Sequence, residues 1–337
     1  MTPRTDERFL IVAPQGLGDS LEATPLLRAL RRARPGATID VAVTRAGPQL
    51  LFESLREYAD GVISLPYWER GKRAFLRAML TARRAPPYDA AFMAYPSAGL
   101  VYQGLLAALP ARRRYAHRHA GTTILDAPWL HATLVPVRLA ANVERNRDLL
   151  RAAGIEPGDE TGYLVPGDWI LPRRGDRIAI HIGSVTHHEL IHKRWPLERF
   201  VELARRLVER HPDVVLVVGP QEVEESALLQ REVPTLQRFE GSLPDVARFL
   251  SSCDVVIAND NGIAHLAAGV GTRVVTLFGP TPIEFAPFSP NAIALRPTLC
   301  PPCFDVRRPV VRCVRNIDFQ CLKRDLTVDL VYETVES

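Results

Sequence analysis

Three stretches of this chain combine residue types and spacings that could manage a phosphorylated ligand. In Gly16-Leu17-Gly18-Asp19, glycines let the backbone approach a ligand closely, and a carboxylate follows at the start of a helical pattern. Asp19 can cap that helix or, facing a site, serve as a general base. The spacing is not G-x-G-x-x-G, because position 21 is Leu21, so a nicotinamide cofactor is weakly supported. Gly183-Ser184 ends a second apolar run and offers an amide and a hydroxyl to phosphate. It leads through Val185-Thr186 and His187-His188 to Lys193-Arg194-Trp195-Pro196, where Lys193 supplies a compact positive point charge. His181, His187, His188 and His192 lack the spacing of a metal-ligand set. The third stretch is the most telling. Asp254-Val255-Val256-Ile257-Ala258 runs into Asn259-Asp260-Asn261-Gly262 and then directly into Ile263-Ala264-His265-Leu266-Ala267-Ala268. Such a junction of a buried strand with a small-residue helix leaves unpaired amides at the helix start, ready for an anion. His265, one turn in, reads either as a core histidine or as a ligand contact.

Positioning these groups requires strand ends, and the chain supplies them in alternation with helices. Short apolar runs at 9–13, 39–43, 62–65 and 88–93 are separated by helical patterns from about residue 20 and over 70–84. After a stretch punctuated by Gly154, Pro157, Gly158, Gly162, Pro166, Gly167, Pro172 and Gly175, the alternation restarts. Strands are expected at 178–182, 214–218, 236–239, 255–258 and 273–278, with helices over 197–209, 222–231, 244–252 and 262–269. This α/β pattern predicts two doubly wound parallel sheets, in domains spanning 1–165 and 166–337, with ligands at the carboxyl ends of the strands. A chain of 337 residues has room for two such domains.

The remaining composition narrows the class. Apolar residues make up 47% and charged residues 24%, the balance of a folded globular chain rather than a disordered one. The net charge of +4 is carried almost wholly by arginine, since only Lys72, Lys193 and Lys323 are lysines. No apolar run is long enough for a transmembrane helix, and the first residues lack an apolar signal core, so a cytoplasmic protein without a nucleic-acid partner is expected. In a reducing compartment, Cys300, Cys303, Cys313 and Cys321 read as a metal site sooner than as disulfides. Their spacing suits structural zinc or iron, and equally four free thiols.

Taken together and in order, Gly18-Asp19, Lys193-Arg194-Trp195-Pro196, the stretch from Asn259 to Ala268, Val274-Val275-Thr276-Leu277-Phe278-Gly279-Pro280-Thr281 and Cys300-Pro301-Pro302-Cys303 resemble glycosyltransferase family 9. Its best-known members are the ADP-heptose:lipopolysaccharide heptosyltransferases. The resemblance implies a GT-B fold, with two Rossmann-like domains and a cleft between them. The first would bind the acceptor and the second the nucleotide-sugar. It implies inverting transfer of a sugar, heptose from ADP-heptose, to a hydroxyl of a lipopolysaccharide-type acceptor, with no cofactor required for catalysis. Asp19 would be the base. Lys193, Ser184 and the amides of Asn261, Gly262 and Ile263 would hold the diphosphate. Asp260 would contact the sugar and Glu222 the ribose, with Gly18 and His265 also at the substrate. Asn261 stands where the family often has Ser or Thr, and Arg194 where it often has His. These departures leave the sugar and nucleobase more open than the reaction type.

Arg112-Arg113-Arg114, with His117-Arg118-His119, reads as a solvated basic loop or as a patch for the phosphates of a glycolipid on the inner membrane face. A nucleotide-sugar epimerase, a protein-modifying heptosyltransferase and a non-catalytic nucleotide-binding module are the rival readings.

Overall fold

The described residues form twelve short strands, and the inner ones, rich in Val, Ile, Leu and Ala, are buried along nearly their whole length; runs of this kind pair in parallel when helices cover the sheet. The computed structural model describes residues 7–119, 124–159, 162–184, 192–298, 300–306 and 313–337. It divides into two units, Met1–Pro166 and Gly167–Ser337.

The first unit runs β1 (Arg8–Ala13), α1 (Leu17–Ala33), β2 (Thr38–Val43), α2 (Ala46–Glu53), β3 (Gly61–Ser64), α3 (Tyr67–Arg84), β4 (Tyr88–Met93), α4 (Leu100–Ala108), β5 (Ala111–Arg118), β6 (Ala132–Pro136) and α5 (Asn142–Ala152). Its strand order is β3-β2-β1-β4-β5-β6, with every pairing parallel. The chain thus winds outward from β1 in one direction and, after β3, returns past β1 to wind in the other. Right-handed crossovers then put α3 and α4 on the opposite face from α1. Accordingly, Met79 and Ala82 of α3 share a core with Leu105 and Leu106 of α4, while α1 packs against α5.

The second unit repeats the scheme with β7 (Arg177–His181), α6 (Leu197–Arg210), β8 (Asp213–Val217), α7 (Val223–Glu232), β9 (Gln237–Phe239), α8 (Leu243–Ser251), β10 (Val255–Asn259), α9 (Gly262–Gly269), β11 (Arg273–Leu277), β12 (Ala292–Leu295) and α10 (Val328–Glu336). Its order is β12-β11-β10-β7-β8-β9. The core centres on Trp195, Phe200, Leu203, Leu207, Ile257 and Leu277, closed by Val331 and Tyr332 of α10.

The expected α/β architecture is present as two Rossmann-like sheets. The basic stretch at 112–114 is not a solvated loop. It is part of β5, between β4 and β6. Arg114 is buried, and its guanidinium donates to the carbonyls of Leu106, Leu109 and Leu130 at 3.1, 2.8 and 2.9 Å. Arg112 pairs with Asp89 at 3.0 Å. Three consecutive arginines in a strand alternate faces, so one of them had to point inward and find carbonyls.

Candidate active site

In an open parallel sheet the ligand crevice forms where two neighbouring strands send their crossovers to opposite faces. In the first unit those strands are β1 and β4. Beyond their carboxyl ends, Ala13, Pro14, Gln15, Asp19, Ser20, Ala94 and Tyr95 line one hollow. The helix begins at Leu17, three residues earlier than the periodicity suggests, so Gly18 and Asp19 both lie in its first turn. The Asp19 carboxylate accepts the Gly16 amide at 3.3 Å, a helix-start bond that holds its orientation. Tyr102 donates to Gln15 Oε1 at 3.1 Å; burial pushes its phenol pKa up, and the Asp19 charge pushes the same way. Asp19 therefore combines the capping role with a place on the hollow.

A polar network that sequence reading missed supports the other wall. Asn146 Oδ1 accepts the Tyr95 amide at 2.8 Å, and its Nδ2 donates to the Glu22 carbonyl at 3.1 Å. Asn142 donates to the Glu22 carboxylate at 3.0 Å and accepts from Arg145 at 2.8 Å. The Arg145 guanidinium lies over the Tyr95 ring, 4.6 Å from its centroid. The available signal was the set Asn142, Arg145 and Asn146 at one-turn spacing, three polar groups on one helical face.

In the second unit the neighbouring strands at the reversal are β7 and β10. Their ends bring together Ser184, Asp260, Asn261 and Gly262. Asn259 ties the turns: its amide donates to the Ile182 carbonyl at 2.7 Å and its oxygen accepts the Trp195 amide at 2.8 Å. Trp195 is buried, with its indole N–H on the Leu326 carbonyl at 2.8 Å and its ring edge-on to Phe200. That anchor fixes the two residues before it. Lys193 reaches Asp260 Oδ2 at 2.6 Å and lies 5.8 Å from the Phe304 ring centroid. Arg194 turns away to the Ser184 carbonyl at 2.8 Å and to Glu225 at 2.7 Å. The segment 185–191, with His187 and His188, lies outside the described residues.

Asn261 caps α9. Its side-chain oxygen accepts the amides of Ile263 and Ala264 at 2.8 and 3.0 Å, and its Nδ2 donates to the Gly183 carbonyl at 2.6 Å. The Ile263 amide, expected to face a diphosphate, is thus taken up by the cap. The Ser184 hydroxyl likewise spends its one proton on the Asp260 carbonyl at 2.9 Å. Lys193 and the amides of Asn261 and Gly262, which precede the first intrahelical donor, are the groups here that suit an anion.

Glu222 immediately precedes α7 and is buried beside Arg194 at 3.5 Å. Burial pushes its carboxyl pKa up, and the Arg194 charge opposes that. Gly183 and Gly219 make its room: a Cβ on either would run into the Glu222 carboxylate. His265 is fully buried, and burial drives its pKa down to about 4 despite the Asp260 charge, so it is a neutral ring. It is hydrogen-bonded to the Phe285 backbone. His181 is also held near 4 by burial, with Nδ1 at 2.9 Å from the Val217 carbonyl.

Of the four clustered cysteines, Cys321 is raised to about 11 by burial and by its neighbours Cys300 and Cys303. Cys313 sits in a separate turn. Its modest burial raises the thiol pKa, and the amides of Phe319, Ile317, Arg315 and Asn316 outweigh that and lower it. Among the described residues no group of three or more His, Cys, Asp or Glu side chains is arranged to hold a metal ion.

The comparisons with known proteins agree with this layout. Residues 170–311 match the model of glycosyltransferase family 9 (heptosyltransferase). The chain is 28% identical to lipopolysaccharide heptosyltransferase 1 of Escherichia coli (strain K12), over 81% of this chain and 88% of that one. It is 24% identical to lipopolysaccharide heptosyltransferase 2 of Salmonella typhimurium, over 83% and 85%. The solved E. coli heptosyltransferase WaaC with ADP-2-deoxy-2-fluoro heptose shares the fold, with a TM-score of 0.71 at 20% identity over 98% of this chain and 99% of that one. Two Rossmann-like sheets of the GT-B type, the family match over residues 170–311 and relatives along most of the length make this chain similar to the glycosyltransferases of family 9.

Proposed function

We propose that this chain transfers heptose from ADP-heptose to a hydroxyl of a lipopolysaccharide-type acceptor, with inversion at the anomeric carbon. The observation that carries the reading is the Lys193–Asp260 pair at the start of α9: a cation and a carboxylate held 2.6 Å apart beside helix amides at the β7–β10 reversal. That arrangement suits a sugar diphosphate, with Lys193 and the Asn261 and Gly262 amides on the phosphates and Asp260 at the sugar. Glu222 suits the ribose hydroxyls. The curated relatives named above are lipopolysaccharide heptosyltransferases, which supports heptose transfer to this acceptor class over an epimerase or a non-catalytic module.

In the reaction the acceptor oxygen attacks the anomeric carbon while Asp19 takes its proton. The bond from that carbon to the diphosphate oxygen breaks, and the electron pair leaves with ADP. Positive charge builds on the sugar and negative charge on the diphosphate, so the second unit's task is electrostatic. Lys193 does part of what a divalent cation does in other transferases. The first unit is assigned to the acceptor and the second to the donor.

Thermal shift with ADP-, UDP-, GDP- and dTDP-sugars, followed by transfer to deacylated lipopolysaccharide core, tests the reading. Stabilisation by ADP-sugars together with ADP release that needs the acceptor is expected. Preference for a pyrimidine nucleotide would sink the assignment. The acceptor class also places the enzyme at the inner membrane face. No described helix is long and apolar enough to cross a membrane, so that contact would be peripheral.

A further inference from the structure

The polar network and ion pairs of the first unit leave one strongly basic element without counter-charges. Gly71 breaks α3 with a φ of +73°, and beyond it Lys72 to Arg84 run as a continuous helix containing Lys72, Arg73, Arg77, Arg83 and Arg84 and no acidic residue. All five cations are exposed, and among the described residues none forms an ion pair. This is unusual in a unit that pairs Arg31, Arg34, Arg112, Arg118, Arg138, Arg147 and Arg151 with carboxylates.

The same helix exposes leucines where a solvated helix would carry polar groups. Phe75, Ala78, Met79 and Ala82 recur at helical spacing and pack on the sheet. On the opposite side lie Arg73, Leu76, Arg77, Leu80 and Arg84, again one turn apart. Leu76 is 58% exposed and Leu80 is 61% exposed. The first turn of α4 adds Leu100 and Val101, which are 62% and 73% exposed. Helices α3 and α4 share one core and therefore cover the same face of the sheet.

We propose that α3 is an interfacial helix by which this enzyme docks on an anionic phospholipid surface, Leu76 and Leu80 entering the headgroup–acyl boundary and the flanking arginines meeting lipid phosphates. Charge complementarity selects this occupant. Five cations without counter-charges on about 20 Å of helix need a dense array of anions. Leucines interleaved among them gain nothing from a polyanion in water, but each gains from an acyl boundary. The inference rests on the proposed lipopolysaccharide-type acceptor only in expecting a membrane nearby; the docking itself needs no turnover. It also moves the membrane contact away from residues 112–114, where Arg114 is committed to carbonyls.

The experiment is co-sedimentation of the full chain with vesicles of phosphatidylethanolamine and phosphatidylglycerol, and with phosphatidylcholine alone, at low and high salt. Binding to the anionic vesicles, weakened by salt, is expected. Arg73→Gln/Arg77→Gln/Arg84→Gln should lower the partition coefficient about a hundredfold. Leu76→Gln/Leu80→Gln, which keeps every charge, should lower it about tenfold. Thermal melting identical to the parent protein shows that both variants are folded, as fully surface substitutions should be. Three results would each overturn the proposal: equal binding to phosphatidylcholine, no loss in the leucine variant, or a leucine variant that merely dissociates a dimer of the parent protein. Turnover with a deacylated, water-soluble acceptor is measured alongside and should be unchanged in both variants. If the parent protein binds vesicles but transfers nothing, the donor or acceptor reading has failed while the docking surface stands.

Discussion

The ammonium of Lys193 lies 2.6 Å from Asp260 Oδ2, with only 13% and 6% of the two side chains exposed. A pair this dry is electrostatically strong only while both partners are present, because either charge alone is costly to bury. Removing one partner therefore has a larger effect on folding than removing both.

From this follows a double substitution cycle. Lys193→Met should cost about 3–5 kcal/mol in urea unfolding by stranding the Asp260 carboxylate. Lys193→Met/Asp260→Asn should recover most of that loss and still transfer no sugar. A single variant as stable as the parent protein would show that the pair is not buried as described.

Asp19, as the proposed base, should separate chemistry from binding. Asp19→Asn keeps the shape and can still accept the Gly16 amide, so stability should change by less than about 1 kcal/mol. Turnover should fall about 10²–10⁴-fold, the usual worth of a general base, while nucleotide affinity read by thermal shift stays the same. Retained turnover would assign the proton transfer to another group.

Gly183 and Gly219 both close on the Glu222 side chain. A Cβ at Gly219 would stand 2.6 Å from Glu222 Oε2, and one at Gly183 would be closer still to the carboxylate. Gly183→Ala should displace Glu222, weakening ADP-sugar affinity about tenfold or more and costing about 1–3 kcal/mol. In Gly183→Ala/Glu222→Ala the stability should return but the affinity should not. Loss of both in the double variant would mean that the clash lies elsewhere.

Acid should destabilise the second unit through its neutral histidines. His181 and His265 are held near a pKa of 4, against about 6.5 in an unfolded chain, so the unfolded state binds more protons between these values. Stability is complete above pH 6.5 and declines as pH falls toward about 4, by at most about 3 kcal/mol for each group. His181→Asn, keeping a donor for the Val217 carbonyl, should flatten the slope of melting temperature between pH 6.5 and 4.5. An unchanged slope would show that His181 titrates normally.

Much of this was legible in the chain because it depends on local periodicity. A buried strand running into Asn259-Asp260-Asn261-Gly262 and a small-residue helix can hardly be anything but a strand–helix junction, and β10 and α9 begin and end within a residue of the pattern. The weaker periods hid β5 and α5, whose polar residues resemble loop sequence until their partners are known. Asn142 and Asn146 are polar by type, yet their side chains are buried because Glu22, 120 positions from Asn142, and Tyr95, 51 positions from Asn146, offer the matching groups.

The sequence by itself determined the alternation of strands and helices, and that polar groups collect at strand ends, since side-chain periods of two and 3.6 are properties of neighbours. Only the tertiary structure decided which strand ends meet. Strand β7 lies beside β10 rather than β9, which places Ser184 against Asp260 across 76 positions of chain. Strand order is set by long-range packing and crossover handedness, to which no local period responds. The same holds for single protons: whether Ile263 faces a ligand or Asn261 is decided by one side-chain rotation, visible only when both are in place.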